Sequence, residues 1–231
     1  MQTIGIVCAV DRELAPYLTA IQNDTTSSKV MLTFHEGFIE GVKVVAAACG
    51  VCKVNAAIAT QILIDSYHAD AVIMSGTAGG IDNRLKVGDT VIATETCYHD
   101  MAMGILMYCH PYMTSEYFVP DETLLARCRE SILPANGAQI YYGRIATGDA
   151  FIDMDGREKI IEEHQPLCVD METAGVAHVC YVNNVPFIAV RSISDTADES
   201  GAAVFDENCD YAAEQSFHVV KQLLAQIKKD Y

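Results

Sequence analysis

Short apolar runs of strand length alternate with helical patterns along most of this chain. Strand, helix, strand is the connection that builds a parallel sheet with helices on both faces. The pattern predicts an α/β fold: a mixed, mostly parallel twisted sheet flanked by helices in three layers. The run Phe187-Ile188-Ala189-Val190 is the clearest of these strands. It is apolar and β-rich, as a strand buried on both faces must be. The chain then turns polar at once, through Arg191, Ser192, Ser194 and Asp195. In open α/β sheets ligands bind beyond the carboxyl ends of strands. A carboxylic acid emerging there into apolar surroundings can have a raised pKa and deliver a proton. A structural ion pair between Arg191 and Asp195 accounts for the same residues equally well.

The other strands are expected at 3–10, 29–34, 42–49, 71–74, 90–96, 139–145 and 167–169. Of these, 29–34 and 42–49 read as a hairpin turning within 37–41. Helices are expected at 53–67, 121–133, 156–164 and 173–182 and within 205–229, with Asp121 as an N-cap. A further amphipathic run follows Asp11, with Leu14, Leu18 and Ile21 at helical spacing. No linker or shift in composition divides the 231 residues, so residues 1–231 are expected to form a single domain.

Composition narrows the function classes. Acidic residues outnumber basic ones 31 to 15, a net charge of −16. That argues against a nucleic-acid polymer as partner, because such binding rests on basic surface. A small nucleoside is not excluded. The nine cysteines are odd in number and sit mostly in apolar segments, which fits a reduced cytoplasm. Cys49-x-x-Cys52 has no second Cys or His pair at ligand spacing. The amino terminus lacks the basic start of a signal peptide, and no run reaches the length of a membrane helix. A soluble, cytoplasmic protein is expected.

Two more carboxylates share the placement of Asp195. Glu13 follows the strand 3–10, and Glu172 follows 167–169 within Asp170-Met171-Glu172. In a parallel sheet all such strand ends share one edge. Several carboxylates at one place suit the cleavage of a glycosidic bond, whose transition state is oxocarbenium-like. One acid assists the leaving group while another carboxylate handles water or stabilises positive charge. The small-residue stretch 75–80 reads as a loop that is either a tight turn or a close approach to a ligand. Phe151, past the strand 139–145, is either a stacking platform for a flat base or a core side chain. The irregular, Met- and Tyr-rich stretch 101–118 is of the kind found at sites and interfaces. These residues reach a glycosidase-like site and leave its substrate open.

Taken in order, the motifs are specific. They are Ile4-Gly5-Ile6 with Glu13, Ser75-Gly76-Thr77-Ala78-Gly79-Gly80, Val87-Gly88-Asp89, Tyr98-His99-Asp100, Thr147-Gly148-Asp149-Ala150-Phe151-Ile152, Asp170-Met171-Glu172 and Arg191-Ser192-Ile193-Ser194-Asp195. Over nearly its whole length the chain resembles the 5′-methylthioadenosine/S-adenosylhomocysteine nucleosidases of the purine nucleoside phosphorylase superfamily. The resemblance implies hydrolysis of the N-glycosidic bond with release of adenine. Asp195 would protonate adenine at N7, oriented by Ser194. Glu13 would hold the attacking water, with Arg191 close by. Glu172 would bind the ribose hydroxyls and Met171 would pack on the ribose. Phe151 would stack on adenine and the Ile152 backbone would read its edge, while Val51, Thr77 and Phe205 would complete the pocket. Asp170 and Thr77 stand where the family commonly has Glu and Ser. No metal or organic cofactor is implied. A homodimer is implied, with the 101–118 loop at or near the interface.

In place of the family's common Gly-Tyr…Gly-Gln-x-Pro-Gly pattern, residues 104–118 read GILMYCHPYMTSEYF. Methylthio and homocysteinyl groups are the default 5′ substituents; 5′-deoxyadenosine and 6-amino-6-deoxyfutalosine are alternatives. A phosphorylase of the same superfamily is a rival reading, with Arg12 and Arg84 as candidate phosphate ligands. A nucleoside-binding protein without catalysis is a second.

Overall fold

The computed structural model describes residues 3–102, 104–109, 113–135, 137–152, 156–196 and 201–228. The most apolar strands lie side by side at its centre. β1 (Thr3–Cys8) is buried along its whole length. It runs parallel to β4 (Val42–Ala48) on one side and to β5 (Ala71–Gly80) on the other. β5 in turn runs parallel to β9 (Phe187–Asp195), which is also buried throughout. The helix α1 (Asp11–Ala20) follows β1 at once, and α2 (Lys53–Tyr67) has the bounds its Ala/Ile/Leu face predicts.

At one side of the sheet, β2 (Gln22–Lys29) and β3 (Leu32–Ile39) add antiparallel strands next to β4. β2 is a correction. Its sequence, QNDTTSSK, has no apolar alternation, because it is an exposed edge strand that buries neither face. The strand expected at 29–34 is therefore β3, shifted, and the β3–β4 turn is the short Glu40-Gly41, both at positive φ.

The other side departs further from an open sheet. β6 (Thr90–Tyr98), β7 (Ile140–Thr147) and β8 (Cys168–Asp170) continue from β5 in the order β5-β8-β7-β6-β9. Because β9 also pairs with β5, these five strands close into a ring. Antiparallel pairings β5–β8 and β6–β9 make the closure possible. The whole is a mixed α/β domain whose parallel pairings outweigh its antiparallel ones only slightly.

The remaining helices are a single turn, α3 (Ile105–Tyr108), then α4 (Glu122–Ser131), α5 (Arg157–His164), α6 (Thr173–Asn183) and α7 (Ala202–Ile227). Asp121 caps α4 as expected, accepting from the Leu124 N–H at 2.9 Å. The long α7 lies against β5, β9 and α1. Its Val219, Val220, Leu223, Leu224 and Ile227 are buried with β1 residues Ile4 and Ile6. The stretch 101–118 leaves β6 and returns to it. Thr96 and Phe118 exchange backbone hydrogen bonds of 2.8 Å in both directions, so its two roots meet. Residues 103 and 110–112 of this stretch lie outside the described residues. No helix among the described residues is long and apolar enough to cross a membrane.

Candidate active site

The second half of β5 and the end of β9 form one wall of a cavity of about 220 Å³. Residues 75–80, expected as a loop, belong to β5 and are buried or nearly so. Their small side chains have another purpose. Gly76 has φ +153°, and a Cβ there would lie 2.4 Å from the Glu13 carboxylate carbon. A Cβ on Gly79 would lie 3.2 Å from Asp195 Oδ2. The two glycines make room for two carboxylates.

Glu13 stands in the first turn of α1, just beyond β1, and is 2 % exposed. Its Oε2 accepts from the N–H groups of Ala9 at 2.6 Å and Val10 at 3.4 Å. Its Oε1 accepts from the Thr77 N–H at 2.7 Å and hydroxyl at 2.8 Å. A carboxylate that reaches back to its own helix start also meets the positive end of the helix dipole. Behind it, the Tyr17 hydroxyl donates to Ser75 Oγ at 2.6 Å, and Ser216 on α7 accepts from the Gly76 N–H at 3.0 Å. Donors from the β1–α1 turn and from β5 thus fix where Glu13 points.

Asp195 lies within β9 rather than past its end. Ala78 pairs with Ile193 but Gly79 pairs with Asp195, so the register slips by one residue. A regular strand sends consecutive side chains to opposite faces. The bulge at Ser194 lets Ser194 and Asp195 both line the cavity. Ser194 Oγ donates to Asp195 Oδ1 at 2.8 Å.

Glu172 arrives by a different route from the one its sequence position suggests. β8 is antiparallel to β5 and pairs only with its tip, Gly79 and Gly80. Three residues long, it carries the chain back along β5 instead of ending at the same edge as β1 and β9. Glu172 therefore meets Glu13 and Asp195 from the opposite direction. Its Oε1 accepts from the Cys52 N–H at 3.0 Å, and its Oε2 from Arg191 Nη2 at 3.0 Å. Cys52 holds that position at φ +83°, a conformation that costs a non-glycine residue. Burial pushes the Glu172 carboxyl up to about 7, against the opposing pull of Arg191.

Arg191 is fully buried, its Nε 3.1 Å from Asp170 Oδ2. Burial works against its charge, but Asp170, Glu13 and Glu172 more than offset that and hold its pKa above the ordinary value. Arg191 Nη1 has no hydrogen-bond partner. Asp170 is a junction: it accepts from the hydroxyls of Thr147 and Thr173 and from the N–H groups of Glu172 and Thr173. It fixes the turn that presents Met171 and Glu172.

Every residue that the nucleosidase resemblance implies for the site lines this one cavity: Glu13, Glu172, Asp195, Arg191, Asp170, Met171, Ser194, Thr77, Val51, Phe151, Ile152 and Phe205. Val51 and Phe151 stand at its rim, 41 % and 47 % exposed. The sequence reading missed Ala9, Val10 and Val169, and it gave no role to Ala78, Gly79 and Ala150 within their motifs; all six also line it. These offer backbone and small side chains, which carry no residue-type signal beyond adjacency to a motif. Arg12 and Arg84 are not in the wall. Arg12 is taken up by Asp210 at 2.6 Å and Asp206 at 3.4 Å, and Arg84 by Asp82 at 2.7 Å. Among the described residues, Arg191 is the one cationic side chain lining the cavity, and no three His, Cys, Asp or Glu side chains form a metal-binding group.

Residues 3–225 match the family model of the phosphorylase superfamily. A 5′-methylthioadenosine/S-adenosylhomocysteine nucleosidase of Shewanella piezotolerans is 34 % identical over 230 residues, covering 98 % of this chain and 99 % of that protein. The chain belongs to this nucleosidase family of the phosphorylase superfamily. The nucleosidase of Colwellia psychrerythraea, solved in complex with adenine, superposes with a TM-score of 0.90 at 31 % identity, covering 97 % of this chain and 95 % of that one. The futalosine hydrolase of Helicobacter pylori superposes with a TM-score of 0.87 at 28 % identity, covering 97 % and 98 %.

Proposed function

We propose that this nucleosidase hydrolyses the N-glycosidic bond of 5′-methylthioadenosine and S-adenosylhomocysteine, releasing adenine and the 5′-substituted ribose. One observation carries the reading: Glu13, Glu172, Asp195 and Arg191 converge on a single, largely apolar cavity. Asp195, oriented by Ser194, gives a proton to adenine N7. The electron pair of the C1′–N9 bond leaves with the base, and positive charge builds on the ribose. Glu13 takes the proton of the attacking water as its oxygen bonds C1′. Glu172 accepts from the ribose hydroxyls, Met171 packs on the sugar, and Phe151 stacks on the base while the Ile152 backbone reads its edge.

Hydrolysis is favoured over phosphorolysis by charge. A phosphate dianion would enter beside several carboxylates, with Arg12 and Arg84 already committed to carboxylates outside the cavity. The likeness to a futalosine hydrolase keeps 6-amino-6-deoxyfutalosine as the second substrate reading. The homodimer implied by the family resemblance is supported by apolar side chains left in water: Val54 and Ile58 on α2, Tyr181 and Val182 on α6, and Ile105 and Tyr108 in the 101–118 stretch. All nine cysteines are free, which suits the cytoplasm.

The test is incubation with 5′-methylthioadenosine, with and without phosphate, and identification of both products. Adenine with methylthioribose, indifferent to phosphate, is expected. A sugar 1-phosphate would mean a phosphorylase and remove the role given to Glu13.

A further inference from the structure

The motif Tyr98-His99-Asp100 has no part in the cavity wall, and neither do Lys53 and Asp149. These residues meet nonetheless. Lys53 Nζ donates to both Asp100 oxygens at 2.7 Å and lies 3.3 Å from Asp149 Oδ2. The Asp149 N–H donates to Asp100 Oδ2 at 2.8 Å. The Lys53 N–H donates to Asp149 Oδ1 at 3.1 Å, and its ammonium also lies 5.3 Å from the Tyr98 ring centre.

Three segments are tied by these bonds. Asp149 opens the stretch 149–152 that holds Phe151 and Ile152. Asp100 immediately precedes the 101–118 stretch. Lys53 is the first residue of α2, directly after Cys52, whose N–H holds Glu172. Successive N–H groups at the start of α2 therefore serve the ribose-binding carboxylate and the head of the base-binding segment. Next to this knot, the His99 ring is so close to Gly148 that a Cβ there would lie 2.3 Å away, which fixes the approach to Asp149.

The geometry points to Lys53, Asp100 and Asp149 as a clasp of positioning residues that holds the base-binding segment in register with Glu172 before substrate arrives. The inference rests on the reading of the cavity as a nucleoside site. A clasp touching no substrate acts by sparing the ordering cost of binding. Its loss weakens ground state and transition state alike, so it raises KM and leaves kcat nearly unchanged. The three side chains are 19 %, 31 % and 46 % exposed, so salt screens the clasp in a way it cannot screen the buried carboxylates.

The experiment compares wild type with Lys53→Met, Asp100→Asn and Lys53→Arg. In ligand-free protein, amide hydrogen exchange over 149–152 is expected to speed up in Lys53→Met and to be restored in Lys53→Arg. With 5′-methylthioadenosine, Lys53→Met should raise KM about five-fold with kcat within about two-fold. Asp100→Asn should shift KM the same way by less. Wild-type KM should climb with salt, and that of Lys53→Met should not. Unchanged exchange over 149–152, or a fall in kcat with KM unmoved, would overturn the clasp. If the wild type turns over no methylthioadenosine, the functional reading falls, and the exchange comparison still decides the clasp because it needs no substrate.

Discussion

The two sides of the cavity are built on opposite principles. The wall that holds Glu13, Asp195 and Arg191 comes from strands and one helix turn. Its side chains are almost wholly buried; Glu13 is gripped by three backbone N–H groups, and Glu172 beside it by the Cys52 N–H and Arg191. The rim that holds Val51 and Phe151 is half in water and hangs from a partly exposed ion-pair cluster. Proton transfer tolerates little error in distance, so the proposed chemistry falls to the buried, hydrogen-bonded side of the cavity. On the roles proposed above, the rim recognises the base chiefly by stacking, which tolerates adjustment. The contrast teaches that two kinds of preorganisation coexist: burial and backbone hydrogen bonds hold the reacting groups, and a solvent-screened clasp holds the rim.

If that division is right, damage to the wall should cost rate and damage to the rim should cost affinity. Asp195→Asn is the most severe test. It should lower kcat about 10²- to 10⁴-fold with KM little changed, because only the transition state needs the proton. Near-normal adenine release by this variant would dissolve the comparison. Gly76→Ala drives a methyl into the Glu13 carboxylate. Overpacking of this kind should cost about 1–3 kcal/mol of stability, read by denaturant midpoint, together with a fall in kcat. A stable, active Gly76→Ala would mean that Glu13 can relocate and the wall is less fixed than its bonds imply.

On the rim, Phe151→Ala should raise KM up to about ten-fold through lost stacking, with a smaller effect on kcat. An unchanged KM would remove Phe151 from base recognition. The smallest expected effect concerns pH. Burial raises the Glu172 carboxyl to about 7, so the native state keeps a proton that the unfolded chain releases near the ordinary glutamate range. Its share of stability is full at low pH, declines as pH rises toward 7 and is flat above. Burial lowers the pKa of His99, His164 and His178, which act in the opposite sense as pH falls. The difference between wild type and Glu172→Gln, measured by denaturation from pH 5 to 8, isolates the Glu172 part. A difference that does not vary with pH would contradict the raised carboxyl.

Much of the site was legible because its chemistry resides in residue types. Glu13, Glu172 and Asp195 each follow an apolar run, and α2 could be bounded from its Ala/Ile/Leu face. What escaped was register and direction. Nothing in Cys168-Val169-Asp170 says that β8 runs against β5, so Glu172 joins the cavity of Glu13 and Asp195 by a direction the shared-edge argument does not contain. The stretch 75–80 looked like a loop because small residues have weak strand preference. Only packing shows that Gly76 and Gly79 clear space for carboxylates. The bulge at Ser194 has no sequence signature, and neither does the Cys52 N–H that grips Glu172. Arg12 looked available to an anion because its partners, Asp206 and Asp210, are nearly two hundred residues away.

The meeting of Thr96 and Phe118 has a consequence for how such a chain can diversify. Because its roots are clipped together, the intervening stretch is an excursion from β6 and not a connection the ring depends on. Lengthening its exposed part leaves the spacing of β6 and β7 untouched while Met113 stays in the core, and the cost in chain entropy grows only slowly with its length. If this stretch selects the 5′ group, a lineage can exchange one 5′ preference for another by editing its exposed part, while the proton donor and the water's carboxylate proposed above stay where they are.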